Sequence, residues 1–340
     1  MNGNVMAAEM AQQPQTLRAL LARRAEIVHA VREVIPHQLA GITLVARGSS
    51  DHAAIYGRYL LEMTARRPAA LVAPSIHTLY DVAVDHRGYL AVAISQSGRT
   101  PEIVTVLSRL RAQGARTVAI VNGAGTPLAA VADVTIDLGV GPELAVPATK
   151  TFTGTLAALA LVGEATGEVP WRWSDLAAIP DHIDALLSDA APAAAAAAGL
   201  DGKDRLLTVG RGMLLAAALE VALKIRETSA IMAEGISSAD LRHGPIAAVG
   251  AGFPVLAFTS EGPTGADMAE LVSELRIRGA LVGRIGSTEG AELRLPGGVP
   301  EPLLPLLATV RGQQVAAATA ARRQLDPDSP AGLNKVTMTR

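Results

Sequence analysis

Residues 89 to 102 read Tyr89-Leu90-Ala91-Val92-Ala93-Ile94-Ser95-Gln96-Ser97-Gly98-Arg99-Thr100-Pro101-Glu102. The first six form an apolar run of the length expected for a strand buried on both faces. Pro101 suits the first position of a helix, and Glu102 suits its first turn, where the partial positive charge lies. Between strand and helix stand three hydroxyls, an amide and a glycine. A helix N-terminus offers free backbone N–H groups, and hydroxyls beside it add hydrogen bonds, so the loop is suited to hold a phosphate. The same hexapeptide also reads as an ordinary strand-to-helix turn with Thr100 as N-cap.

The pattern repeats on either side. Thr16 to Glu33 has apolar residues at helical spacing. Ile42 to Ala46 is a short apolar strand that runs into Arg47-Gly48-Ser49-Ser50-Asp51 and a helix from about His52 to Arg66. Strands are predicted at Ala69 to Ala73, Arg116 to Val121 and Val134 to Leu138, with helices to Gln113, over Pro127 to Ala132 and over Thr151 to Ala165. Such alternation means a doubly wound parallel sheet. Trp171-Arg172-Trp173 interrupts it, and an Ala-rich helical stretch follows over Ser174 to Ala198, with Pro180 and Pro192 as boundaries. The alternation then restarts: strand Arg205 to Val209, the turn Gly210-Arg211-Gly212-Met213, and a helix from Leu214 to Thr228. Strands at Phe253 to Phe258 and Ala280 to Ile285 flank a helix over Gly265 to Arg278, and Pro302 to Arg322 closes the chain. Both halves open alike, which predicts an internal duplication of a domain of about 130 residues.

The bulk properties agree. The chain has 340 residues, 49% hydrophobic but only 3% aromatic, so its core is built from Ala, Val, Leu and Ile. Lys and Arg number 30 against 32 Asp and Glu, for a net charge of -2. That balance gives no non-specific attraction to nucleic acid or to an anionic membrane. There is no cysteine, which rules out disulfides, a catalytic thiol and cysteine zinc sites in these residues. The His residues are scattered, so neither a metal site nor another cofactor is expected. The polar N-terminus lacks a signal-peptide pattern, and the most apolar stretch, Leu156 to Val162, is too short to span a bilayer. A cytoplasmic enzyme is the expectation.

Five segments then fall in order along the chain: Ala46 to His52; Ser95 to Thr100; Glu143-Leu144-Ala145-Val146-Pro147-Ala148-Thr149-Lys150-Thr151-Phe152; Gly210-Arg211-Gly212 through Leu219-Glu220-Val221-Ala222-Leu223-Lys224-Ile225-Arg226-Glu227-Thr228-Ser229 to Leu241-Arg242-His243-Gly244-Pro245; and Leu333-Asn334-Lys335-Val336-Thr337. Together they resemble the double sugar-isomerase (SIS) domain family over roughly residues 40 to 340. The resemblance implies two tandem doubly wound parallel-sheet subdomains, each a flavodoxin-like three-layer αβα unit. They are expected at 40–170 and 201–325, with an N-terminal helical segment at 1–39, a linker helix at 171–200 and a tail at 326–340 that contributes to the active site. Family members include aminotransferases with a glutaminase domain that carries a nucleophilic cysteine. This chain, without a cysteine, is expected not to take ammonia from glutamine by that route. Arg47, Arg99 and the ending Asn334-Lys335-Val336-Thr337 look more like the isomerase-only members, among them glucosamine-6-phosphate deaminases.

By this resemblance, Ser49, Ser50, Ser95, Gln96, Ser97 and Thr100 hold the sugar phosphate and nearby hydroxyls. Val146, Ala148 and Asn334 line the sugar, although the family often has Ser at the Ala148 position. Glu227 matches the family base, with Glu220 and Lys224 on the same predicted helix face; such groups also occur as ordinary surface ion pairs. A proton moving between C1 and C2 of a sugar calls for such a carboxylate beside an enediol-like intermediate. His243 matches the histidine that opens the sugar ring, reached in relatives from a neighbouring subunit, so a homodimer sharing His243 is implied. A structural histidine in a tight His-Gly-Pro turn is the other reading. Lys335 matches a lysine able to form a Schiff base with an open-chain ketose, or it acts by charge. The family's second histidine position is Met232 here. The expected activity converts glucosamine-6-phosphate and water to fructose-6-phosphate and ammonia. Another sugar-phosphate isomerase, an aminotransferase-type isomerase lacking the glutaminase domain, or a non-catalytic sugar-phosphate sensor would keep the same serine loops.

Overall fold

The computed structural model describes residues 3–335. Its backbone forms two compact units, each built on a five-stranded parallel sheet.

The first unit carries β1 (Gly41–Val45), β2 (Ala69–Leu71), β3 (Tyr89–Ser95), β4 (Arg116–Val121) and β5 (Val134–Asp137), in the order β2-β1-β3-β4-β5. Every pairing in it is parallel. Successive side chains leave opposite faces of a strand. On one face Val45, Ala91, Ala93, Ala119 and Val121 pack against Ile103, Val106, Leu107 and Leu110 of helix Pro101–Ala112. Toward the other, Leu44 lies beside Gly57 of helix Ser49–Ala65, which runs against helix Lys150–Thr166. Both faces are therefore covered, which is why β3 reads as an unbroken apolar run. Leu156 to Val162, the most apolar stretch, is completely buried here.

The second unit carries β6 (Arg205–Gly210), β7 (Met232–Ser237), β8 (Pro254–Thr259), β9 (Leu281–Gly286) and β10 (Leu293–Arg294), in the order β10-β9-β8-β6-β7. Counted from its own first strand, this is the same order as in the first unit. Leu207, Val209, Val255 and Ala257 pack against Met268, Leu271 and Leu275 of helix Gly265–Ile277. Helices Leu214–Ser229 and Leu304–Arg322 pack against each other so closely that a Cβ at Gly312 would fall 2.0 Å from Val221 Cγ2. The two tandem α/β subdomains predicted from sequence are present.

Several elements differ from the sequence expectation. The helix predicted over Thr16 to Glu33 is broken at Arg23 into Gln13–Ala22 and Arg24–Val34. A further helix, Asn4–Ala11, precedes it and belongs with the second unit. The Ala-rich stretch is three helices, Trp173–Ala177, Ile179–Ser188 and Ala191–Ala198, divided near the expected prolines. Among the described residues no helix is long and apolar enough to cross a membrane.

Candidate active site

In a doubly wound sheet, ligands bind beyond the carboxyl ends of the strands, where the strand order reverses. In the first unit that point lies between β1 and β3. The loops leaving these two strands carry Ser49, Ser50 and residues 95–100, so the structure brings all six predicted phosphate ligands to one switch point. Ser49 and Ser50 begin helix Ser49–Ala65, and Thr100 is the N-cap of helix Pro101–Ala112. Two helix N-termini thus flank the same place, each with the partial positive charge of a helix start.

The loop after β3 is held by its own hydroxyls. Ser95 Oγ accepts from the Gly98 N–H at 3.2 Å, and Ser97 Oγ accepts from the Arg99 N–H at 3.2 Å. Gly98 sits at φ 58°, and a Cβ there would lie 2.3 Å from Thr126 Oγ1, so the turn admits only glycine. The Thr100 hydroxyl makes no capping bond. Thr100 thus stands at the N-cap, as the turn reading has it, without a capping bond from its hydroxyl. Arg47 fixes the β1 loop to the first turn of helix Pro101–Ala112 through paired bonds to Glu102 at 2.8 and 2.9 Å.

Lys335 also belongs to this unit. Its ammonium donates to Glu143 Oε2 at 2.8 Å, and the Glu143 side chain is fully buried. Thr151 adds its N–H at 3.0 Å and its hydroxyl at 2.6 Å to the same carboxylate. Burial alone would push the Glu143 carboxyl up, but Lys335 and Thr151 outweigh it and hold it below its ordinary value. Nothing in the motif from Glu143 to Phe152 signals this role for Glu143. Asn334 is exposed beside Lys335. Val336 and Thr337 of the same motif lie outside the described residues.

In the second unit, helix Leu214–Ser229 presents Glu220, Lys224 and Glu227 on one face. Lys224 Nζ stands 3.2 Å from Glu220 and 2.6 Å from Glu227. Glu220 and Lys224 are completely buried, and the Glu227 side chain keeps 18% of its exposure. This is not the surface ion pairing that the spacing alone allowed. Burial pushes the Lys224 ammonium down, yet the two carboxylates more than reverse this and raise it above its ordinary value. One partly open carboxylate is therefore held by a buried cation.

His243 ends helix Ser238–Arg242 and is exposed, and its ring has no hydrogen bond among the described residues. Val146 and Ala148 are half-buried in the segment 144–149, where the Val146 N–H donates to the Asp328 carbonyl at 2.9 Å. Met232 opens β7 and is 74% exposed.

Two repeated flavodoxin-like sheets, with a hydroxyl-lined loop at the switch point of the first, define a tandem sugar-isomerase architecture. The chain belongs to the SIS domain family, which matches residues 40–165 and 199–292. It is 31% identical to glutamine–fructose-6-phosphate aminotransferase (isomerizing) of Thermococcus kodakarensis, over 97% of this chain and 57% of that protein. The corresponding protein of Aeropyrum pernix is 35% identical over 86% of this chain and 50% of its own length. The chain thus spans about half the length of the curated relatives it matches. Among solved structures, a candidate phosphosugar isomerase from Silicibacter pomeroyi superposes with a TM-score of 0.87 at 32% identity, covering 96% of this chain and all of that one (100%). Glucosamine-6-phosphate deaminase from Thermotoga maritima shares the fold, with a TM-score of 0.76 at 22% identity over 95% and 99% of the two chains.

Proposed function

We propose that the protein is an amino-sugar phosphate isomerase and deaminase that converts glucosamine-6-phosphate and water to fructose-6-phosphate and ammonia. The observation that carries the reading is Glu227, a partly open carboxylate 2.6 Å from a fully buried ammonium. Helix-surface pairs of little consequence are exposed on both sides. A carboxylate so held serves as a base at a defined position.

Ser49, Ser50, Ser95, Gln96, Ser97 and Thr100 take the phosphate and nearby hydroxyls. Val146, Ala148 and Asn334 line the sugar. His243 protonates the ring oxygen as the C1 hydroxyl loses its proton, which gives the open-chain aldehyde. Glu227 then removes the C2 proton as the C1 carbonyl oxygen takes one, which forms an enolamine; the proton returns to C1 as the nitrogen gives one up, leaving an imine at C2. Water adds to that imine, and ammonia departs from C2 to leave the ketose. C1 is reduced as C2 is oxidised, so the conversion needs no external oxidant or reductant, and it requires neither metal nor nucleotide. A homodimer completes the site, with His243 supplied by the partner subunit, and the enzyme acts in the cytoplasm.

The Lys335–Glu143 pair favours deamination over transfer of an external amine. A substrate that brings its own C2 nitrogen needs no covalent lysine, and Lys335 stands as the counter-ion of a buried carboxylate. The other reading is a pure aldose–ketose isomerase on the same scaffold, favoured by the likeness to the Silicibacter pomeroyi protein. A panel of hexose and hexosamine 6-phosphates, assayed for ammonia and for ketose in the presence of chelator, decides. Ketose without ammonia from every sugar would establish the pure isomerase; no turnover at all would leave a sugar-phosphate sensor.

A further inference from the structure

The loops of the second unit align with those of the first and keep their glycines and one threonine, while Glu261 stands at the Ser97 position and Met213 and Leu214 stand at those of Ser49 and Ser50. Val45-Ala46-Arg47-Gly48 at the end of β1 corresponds to Val209-Gly210-Arg211-Gly212 at the end of β6, and Gly48 and Gly212 adopt φ 60° and 57°. Counted from the last residues of β3 and β8, Ser95-Gln96-Ser97-Gly98-Arg99-Thr100 matches Thr259-Ser260-Glu261-Gly262-Pro263-Thr264. Gly98 falls on Gly262 and Thr100 on Thr264, and both threonines are N-caps without a capping side-chain bond. β6 and β8 are neighbours, as β1 and β3 are. The second sheet therefore has its own switch point with the same loop plan.

That place is filled from within the unit. Glu301 opens the short 3-10 turn Glu301–Leu303. Its Oε2 accepts from the Thr264 N–H at 3.3 Å, from the Thr264 hydroxyl at 3.0 Å and from the Ser260 hydroxyl. Ser260 is 1% exposed, and its oxygen also accepts from the Gly262 N–H at 3.3 Å. A Cβ at Gly212 would lie 3.9 Å from Glu301 Oε1, so the carboxylate reaches the β6 loop as well. A carboxylate oxygen taking a backbone N–H and two hydroxyls at a helix N-terminus is what a phosphate oxygen would do there. In the first unit, Thr100 makes no such bond to a carboxylate among the described residues, and the nearby Glu102 is bound by Arg47.

We propose that the Glu301 carboxylate is the resident anion of this second cradle: it closes the duplicated site to phosphate, and its removal opens that site. The inference rests on reading the loop after β3 as a phosphate cradle. It gives the duplicated fold one phosphate site per chain, and it assigns Glu301 a specificity role that its distance in sequence from either loop conceals.

The test is the number of inorganic phosphate ions bound per chain, measured by calorimetry on the full chain. The proteins compared are native, Glu301→Ala, Ser97→Ala and the double variant. Native protein should bind one, Glu301→Ala two, and the double variant should keep the new site while losing or weakening the old one. If native protein binds none and Glu301→Ala binds one, the cradle reading of the first unit fails while the role of Glu301 stands. If Glu301→Ala is folded by circular dichroism and binds no more phosphate than native, the proposal is overturned. Glu301→Ser is the second variant should the alanine protein not fold. Folding of either variant restored by phosphate and not by chloride supports the proposal. Failure of both to fold even in phosphate overturns it, since Glu301 would then be a strut that no anion replaces.

Discussion

The Lys335 ammonium sits 2.8 Å from the Glu143 carboxylate, 192 residues earlier in the chain. This contact ties the C-terminal tail to a fully buried acid in the first unit, and it sets how Lys335 can act. Lys335 is engaged with Glu143, and attack on a carbonyl would require its amine to leave that carboxylate. Sodium borohydride added with fructose-6-phosphate should therefore leave Lys335 unmodified by peptide mass. Lys335→Arg should retain more activity than Lys335→Met. A reduced hexitol-phosphate adduct on Lys335 would show that it works covalently.

Glu143 also gives a pH dependence with a definite sign. Its carboxyl lies below its ordinary value of 4.5 in the folded chain. A group depressed on folding contributes stability above its unfolded value and loses that contribution as pH falls through the folded one. Glu143→Gln should cost about 1.5–3 kcal/mol near neutrality, the scale of hydrogen bonds to a charged group. The difference between native and variant melting temperatures should shrink as pH falls below 4.5. A gap that stayed constant into acid would contradict the assignment.

For the phosphate loop, Ser97→Ala and Thr100→Val should each weaken sugar-phosphate binding by about 1–3 kcal/mol. Neither change should alter the melting temperature much, since Thr100 makes no capping bond and Ser97 accepts a single one from Arg99. Titration calorimetry with fructose-6-phosphate reads the effect. Unphosphorylated glucosamine should be a poor substrate; equal turnover of both sugars would sink the assignment.

The buried triad separates catalysis from stability. Glu227→Gln should lower kcat by about 10²- to 10⁴-fold while leaving KM nearly unchanged. Lys224→Met should cost about 3–5 kcal/mol of stability, because it strands the buried Glu220 carboxylate. Adding Glu220→Gln should recover part of that loss. The Lys224 ammonium is raised above its ordinary 10.5, so its contribution is complete below that value and fades only as pH climbs through the raised one. Urea titrations at neutral pH and in strong alkali would show whether the native advantage disappears in that direction.

Much of this was legible in the chain because buried parallel strands are written as apolar runs. β4 was bounded correctly at Arg116 and Val121, and β3 to within a residue. The two strands that were missed lie at the edges of the second sheet. β7 mixes exposed Met232 and Glu234 with Gly235, so it has no apolar run to read, and β10 has only two residues. Helix Asn4–Ala11 was illegible for another reason. Asp328 accepts from the backbone N–H groups of Gly3, Val5 and Met6, a cap more than 320 residues away in sequence. At the site, spacing put Glu220, Lys224 and Glu227 on one face but could not reveal that two of them are buried. The partnership of Glu143 with Lys335 was hidden in the same way, since no local pattern records it.

His243 gives the decisive test of assembly. It is exposed at a helix end, and no hydrogen bond from the described residues orients its ring. A histidine that works as acid and base must be oriented by something. If a partner subunit supplies that setting, each site takes Glu227 from one chain and His243 from the other. His243→Ala and Glu227→Gln should then each be nearly inactive as homodimers. Mixed and allowed to exchange subunits, they should form heterodimers with one intact site, Glu227 coming from the histidine variant and His243 from the glutamate variant. An oriented acid–base group is worth roughly 10²- to 10⁴-fold in rate, so even a small heterodimer fraction stands well above either variant alone. Native mass spectrometry verifies the exchange, and ammonia release reports activity. Verified heterodimers no more active than the single variants would place His243 and Glu227 of each site in the same chain, or remove His243 from the chemistry.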